Sequence, residues 1–203
     1  MLVAVSDIPE GGADLVAQNI AAAAATVPTV ALGGNLEAKN TDDTTAADAT
    51  QTGLQIARPY PLYTTSLTHL EHGFLDSARL TAWQYVIIDG GSPHAVAETR
   101  CKESTVSVCY AALYGISYAE EMVRTIGEAE LVPQVATADY ELRILRAPSL
   151  SLLAVWLHGP TDLLLPINPT PAKLKPLVPI TEVELIAALK PLAEIRKKIS
   201  DRG

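Results

Sequence analysis

No aromatic side chain precedes Tyr60, although ten lie at or beyond it. Large rings supply much of the area a core buries, so residues 1–57 cannot build a core alone. Basic residues are scarce too, with 15 Lys and Arg against 23 Asp and Glu and a formal charge of −8. That balance argues against a general nucleic-acid binder, which needs a basic face to displace counterions from phosphates. It argues equally against electrostatic docking on anionic lipid. The deficit is uneven, because residues 1–57 hold seven acids and one base, Lys39. Residues 58–203 therefore carry only about −2.

Cysteine is nearly absent. Cys101 and Cys109 stand eight positions apart, which matches neither a zinc knuckle nor a Cys-x-x-Cys redox pair. Two half-buried thiols are the expectation, with a disulfide left open. No apolar run approaches the roughly 20 residues of a membrane helix, and the first residues show no basic, then apolar, signal pattern. A cytoplasmic protein, bound neither to membrane nor to nucleic acid, is the expectation.

What is present suffices for one core, at 203 residues and 48% hydrophobic. The composition changes near Arg58, so residues 1–57 read as an acidic, alanine-rich leader and 58–203 as a single domain. Residues 13–26 favour a helix, because alanine has the best intrinsic propensity and Asp14 suits its start. Residues 35–53 have the small, polar, acidic composition of a solvated loop.

Beyond Tyr60, "PYPLY" reads as an extended entry, and "TAWQYVIID" and "HAVAETR" as two strands around a Gly-Gly-Ser-Pro break. Ser117 and Glu120 predict a capping box for a helix at 117–130, with Ala119, Met122, Val123, Ile126 and Ala129 on its apolar face. "DYELRILR" alternates, placing Tyr140, Leu142, Ile144 and then Arg146 on the core side, and Glu141 and Arg143 on a wet face. "SLSLLAVWLH" and "DLLLPI" complete the strands. Thr181 and Glu184 open a last helix, with Val183, Ile186, Leu189, Ala193 and Ile195 approximating its stripe. The expected fold is α+β, an antiparallel sheet of about five strands. Its order is β-β-α-β-β-β-α, with the helices packed on one face.

The densest polar knot is "VIIDGGSPH", where Asp89, Ser92 and His94 lie within six positions around Gly90 and Gly91. A serine nucleophile needs an adjacent base and a group to orient that base, and these are the right residue types. Over eight residues, "VIIDGGSP" resembles the first motif of S-adenosylmethionine-dependent methyltransferases, a strand ending in an acid before a glycine-rich turn. The resemblance implies a cofactor edge at Asp89, Gly90 and Gly91. The family's spaced glycines and alternating βαβ order are absent. A hairpin turn accounts for the same residues more simply.

His69 and His72 are three apart and would share a helix face as metal ligands, but a site needs three or four. His158, with Trp156 and Asp162, could line a pocket mouth as a catalytic candidate. Arg143 could clamp a carboxylate on the sheet face. No cofactor or metal is expected from sets this incomplete. The reading preferred is a non-enzymatic interaction or assembly module that binds a protein partner or a second copy of itself. The alternatives are a small transferase or hydrolase using the Asp89–His94 loop, and a small-molecule carrier.

Overall fold

The computed structural model describes residues 1–3, 8–26, 54–70, 73–101, 108–171 and 174–200. The expected loop at 35–53 and the ligand candidate His72 lie outside them. Among the described residues ten strands are present, β1 (Leu2–Val3), β2 (Leu54–Ile56), β3 (Tyr60–Thr64), β4 (Arg79–Asp89), β5 (Ser92–Cys101), β6 (Val108–Tyr114), β7 (Tyr140–Ala147), β8 (Leu152–His158), β9 (Leu163–Pro166) and β10 (Ile180–Thr181). Four α-helices accompany them, α1 (Gly12–Thr26), α2 (Ile116–Glu130), α3 (Pro133–Thr137) and α4 (Glu182–Ser200).

The strands form one sheet in the order β10-β9-β8-β7-β3-β4-β5-β6, with β1 beside β7 and β2 beside β4. This corrects the expected five-stranded antiparallel sheet, because the sheet has ten strands and is mixed. β3 runs parallel to β7, with Leu62 opposite Ile144, and β1 is also parallel to β7. The expected order followed the hairpin grammar of short turns, which does describe β7-β8-β9 and β4-β5-β6. It had no means of placing β3, which joins those two antiparallel blocks through a contact of long sequence separation. Pro61 is tolerated in a central strand because β7 pairs only from Leu62 onward.

Helices cover both faces, which corrects the single-face expectation. On one face Met122, Ile126 and Ala129 of α2 pack on Leu62, Val86, Val96, Ile144 and Val155. On the other, Leu185, Leu189 and Ala193 of α4 cover Leu145, Ala154, Trp156 and Leu164. Val16 of α1 covers Trp83, Tyr85 and Ile87 on that same second face. The wet face expected for β7 is therefore dry at Leu145, which is fully buried. The described parts of residues 1–57 belong to this assembly, since β1, α1 and β2 all join the sheet or pack on it. Gly12 is required where α1 meets the sheet, because a Cβ there would stand 2.0 Å from the Tyr85 hydroxyl.

Local sequence signals fared unevenly. The capping box at Thr181 and Glu184 is formed, with the Thr181 amide donating to Glu184 at 2.8 Å and the Glu184 amide to Thr181 at 3.4 Å. The one proposed at Ser117 is not. α2 begins at Ile116, and its N-cap is Gly115, which offers no side chain. The α4 stripe is rotated from the expected one, since Leu185 is buried whereas Val183 and Ile195 stand in solvent. No helix among the described residues is long and apolar enough to cross a membrane.

Candidate functional site

The Asp89–His94 segment is a hairpin tip. Asp89 pairs with Ser92, and Gly90 and Gly91 adopt positive φ values of 54° and 84°. Two successive residues of this kind make the tight turn that matches the twist of flanking antiparallel strands, and glycine adopts it without steric cost. The turn leads from strand to strand, whereas the methyltransferase motif leads from strand to helix. Asp89, Ser92 and His94 are all exposed. None has a side-chain hydrogen-bond partner among the described residues, so no base or orienting group meets Ser92 there.

The other candidates are placed separately. His69 closes a single turn of 3-10 helix and bonds Ser66 at 2.9 Å. No cluster of three or more metal-ligating side chains occurs among the described residues. His158 ends β8, and its Nδ1 lies 2.9 Å from Asp162. The same carboxylate oxygen accepts the Trp156 indole N–H at 3.0 Å. Arg143, opposite Trp156 in the β7–β8 register, stacks 4.9 Å from the Trp156 ring and 4.6 Å from Tyr63. It also pairs with Glu141 at 2.7 Å. Arg143 thus lies against a pair of aromatic rings that meet edge to face, and it carries its own counter-ion.

Cys101 faces Val108 and Arg100 faces Cys109, so the two thiols are offset by one position on adjacent strands. Side chains alternate along a strand, and this offset puts the sulfurs on opposite faces. Both are free.

The most connected polar site lies on the α2 face, centred on Glu98 and Arg146. Alternation places Glu98 with Val96 and Arg146 with Ile144, so both point inward beneath the start of α2. Arg146 binds Glu98 through two parallel bonds, Nη1 to Oε1 at 3.1 Å and Nη2 to Oε2 at 2.5 Å. The Gln84 amide at 3.2 Å and the Tyr114 hydroxyl at 3.0 Å also donate to Glu98 Oε2. Tyr118 donates to Gln84 at 2.9 Å.

Glu98 is only 3% exposed, and burial alone would push its carboxyl up. The Arg146 guanidinium, with Gln84 and Tyr114 behind it, outweighs that and holds it below the ordinary carboxylate value. Burial works against the Arg146 charge, and Glu98 restores it, leaving Arg146 above its usual value. Burial pushes the Tyr118 hydroxyl up to about 12, so it stays protonated and donates.

Two grooves meet at Arg146. One, of about 680 Å³, is lined by Tyr114, Ile116, Tyr118, Leu152, Leu153 and Pro169 among others. A second, of about 510 Å³, carries Thr64, Thr81, Glu98 and Arg100. Arg146 and Pro148 line both. The sequence placed Arg146 on the core side but missed its partners. The available signal was physical, since a buried carboxylate needs a paired cation, and Glu98 interrupts the inward-facing positions of β5.

The outer edge of β6 is the second notable surface. β6 ends the sheet and pairs only with β5 among the described strands. Its sequence, VCYAALY, contains no charge and no proline. Leu113 is 49% exposed, and the neighbouring Ile116 51%.

Comparison with known proteins adds no relative: no family model, no curated protein sequence and no solved structure matches this chain.

Proposed function

We propose that this protein is an interaction and assembly module that associates by extending its sheet at β6, with a second copy of the chain as partner. The observation that carries this reading is the uncharged, proline-free seven-residue edge of β6. Sheets ordinarily blunt their edges with lysines, prolines, bulges or very short strands, because a free edge recruits other strands; of these β6 has only a bulge, at Ala111 between its pairs Thr99–Tyr110 and Glu98–Ala112. The opposite end follows that practice, since β10 is two residues long.

A second copy fits the edge chemically. Two β6 strands related by a two-fold axis would run antiparallel, the isologous arrangement commonest in dimers. Directly opposed like charges destabilise such a pairing, and β6 has none to oppose. Backbone hydrogen bonds would then link two ten-stranded sheets, with Leu113 and Ile116 beside the seam.

Light scattering on the full chain tests this reading. A dimer is expected for the natural sequence, and a monomer for Leu113→Lys, which sets like charges close to the axis. A wild-type chain that stays monomeric across the micromolar range would sink the reading. So would a dimer unaffected by both Leu113→Lys and Ala112→Pro.

A further inference from the structure

We propose that the joined grooves at Arg146 bind a small amphipathic carboxylate, its carboxyl group between Arg100 and Arg146 and its apolar body along the Ile116–Leu153 groove. The site lies on the α2 face; it shares Tyr114 of β6 and the adjacent Ile116 with the proposed seam, but its argument rests on Arg100, Arg146 and the groove rather than on the free edge.

Charge selects the head. The described ionisable side chains lining the two grooves are Arg100, Arg146 and Glu98, apart from tyrosines and Cys101. Burial pushes the tyrosine hydroxyls and the Cys101 thiol up, so all of them remain neutral near pH 7. Two cations against one anion leave an excess of +1, inside a chain whose formal charge is −8. Arg146 is engaged by Glu98 and Tyr114 through one N–H of Nη1 and those of Nη2. A guanidinium has five N–H donors, so its Nε–H and a second Nη1–H are left for a ligand. Arg100 is exposed and has no ion-pair partner among the described residues. One carboxylate completes an alternating row, Glu98, Arg146, ligand and Arg100. A phosphate dianion would overshoot it.

Shape and lining select the body. A groove of about 680 Å³ falls in the range of small-molecule sites. Its walls are mostly apolar, Ile116, Leu152, Leu153, Pro148, Pro169 and the faces of Tyr114 and Tyr118, with Gly115, Ser117 and Ser151 completing them. That lining offers an alkyl or aryl body little beyond apolar contact. Arg146 is the one charged side chain among the described residues lining this groove, which gives a ligand one orientation.

Isothermal titration calorimetry with hexanoate, octanoate and decanoate tests the proposal, using decan-1-ol and decyl phosphate as comparisons. The dissociation constant should fall about three- to four-fold for each added methylene. Decanoate should bind at least ten-fold more tightly than decan-1-ol. Arg100→Ala should abolish that preference and leave decan-1-ol binding unchanged. Leu153→Trp, which fills the groove, should weaken both ligands, with circular dichroism confirming that each variant is folded. The proposal fails if decanoate does not saturate below about 1 mM. It fails too if the alcohol binds as well as the acid, or if decyl phosphate binds more tightly than decanoate. Arg100→Ala that leaves decanoate affinity unchanged would also overturn it. The Leu113→Lys variant should bind decanoate normally, so failure of the assembly reading leaves this one to stand or fall alone.

Discussion

β7 carries two arginines three residues apart, and the sheet uses them in opposite ways. Arg146 points to the α2 face, where Glu98 grips it with two bonds and Gln84 and Tyr114 complete the carboxylate's partners. Arg143 points to the α4 face, where its plane lies over Tyr63 and Trp156 with Glu141 at its tip. One is held by a buried anion and the other by aromatic rings. The difference shows which kind of support makes an inward arginine dangerous to disturb. A ring left by a departed guanidinium remains an apolar surface, whereas a buried carboxylate left alone has lost the group that made its charge tolerable.

Removing Arg146 should therefore be the most damaging change. Arg146→Ala leaves Glu98 buried and unpaired, at a cost of about 3–5 kcal/mol in urea unfolding. Glu98→Leu combined with Arg146→Met should cost less than the two single changes added together. It should still fall short of the natural chain, because Gln84 and the Tyr114 hydroxyl lose their acceptor, at about 1–3 kcal/mol for each orphaned group. Strict additivity of the two changes would mean that the pair is not coupled.

Next in size is the response to acid. The Glu98 carboxyl is held below its unfolded value, near pH 4.3 for a free glutamate. Such a group contributes its full stabilisation above the unfolded value and loses it as pH falls through the folded one. The natural chain should lose stability from about pH 5 downward. Glu98→Gln should be less stable at pH 7 and show a flatter decline below pH 5. Equal slopes in the two chains would assign the acid sensitivity elsewhere.

Arg143→Ala should cost less, about 1–2 kcal/mol, from lost stacking and lost stem packing. Arg143→Lys should recover only part, because an ammonium lacks the guanidinium plane. A loss at Arg143 as large as that at Arg146 would erase the contrast between the two faces.

The contrast was partly legible in the sequence. Alternation through "YELRILR" put Arg143 and Arg146 on opposite faces, and that held. Counting by twos does not reveal what covers a face, so Arg143 was expected in water and is instead enclosed by Tyr63 and Trp156. Tyr63 comes from β3, whose place beside β7 is set by the parallel pairing of Leu62 with Ile144. Nothing local encodes a pairing across that separation. The same limit hid Glu98, which meets Arg146 across β3 and β4, a juxtaposition set by the long-range pairing of β3 with β7. The hairpin at Gly90–Gly91 was readable for the opposite reason. Its cause lies within four residues, in a turn that needs positive φ twice. β6 was overlooked because Ala111 and Ala112 flatten the alternation between Tyr110 and Leu113.

The smallest effect lies on the α4 face, beside Arg143. One oxygen of Asp162 serves Trp156, His158 and the Gly159 amide, the last at 3.4 Å. Trp156 is buried and His158 is 42% exposed at its side chain. Water can replace the imidazole at Asp162 but has poor access to the indole N–H. His158→Ala should therefore shift stability by less than about 0.5 kcal/mol. Asp162→Ala strands the indole donor and should cost about 1–2 kcal/mol. The Trp156 indole N–H resonance in a nitrogen-proton correlation spectrum reads the same distinction directly. It should stay protected from exchange in His158→Ala and lose protection in Asp162→Ala. If His158→Ala also exposes the indole, the imidazole is a lid on Trp156, and Arg143 depends on it through the shared ring.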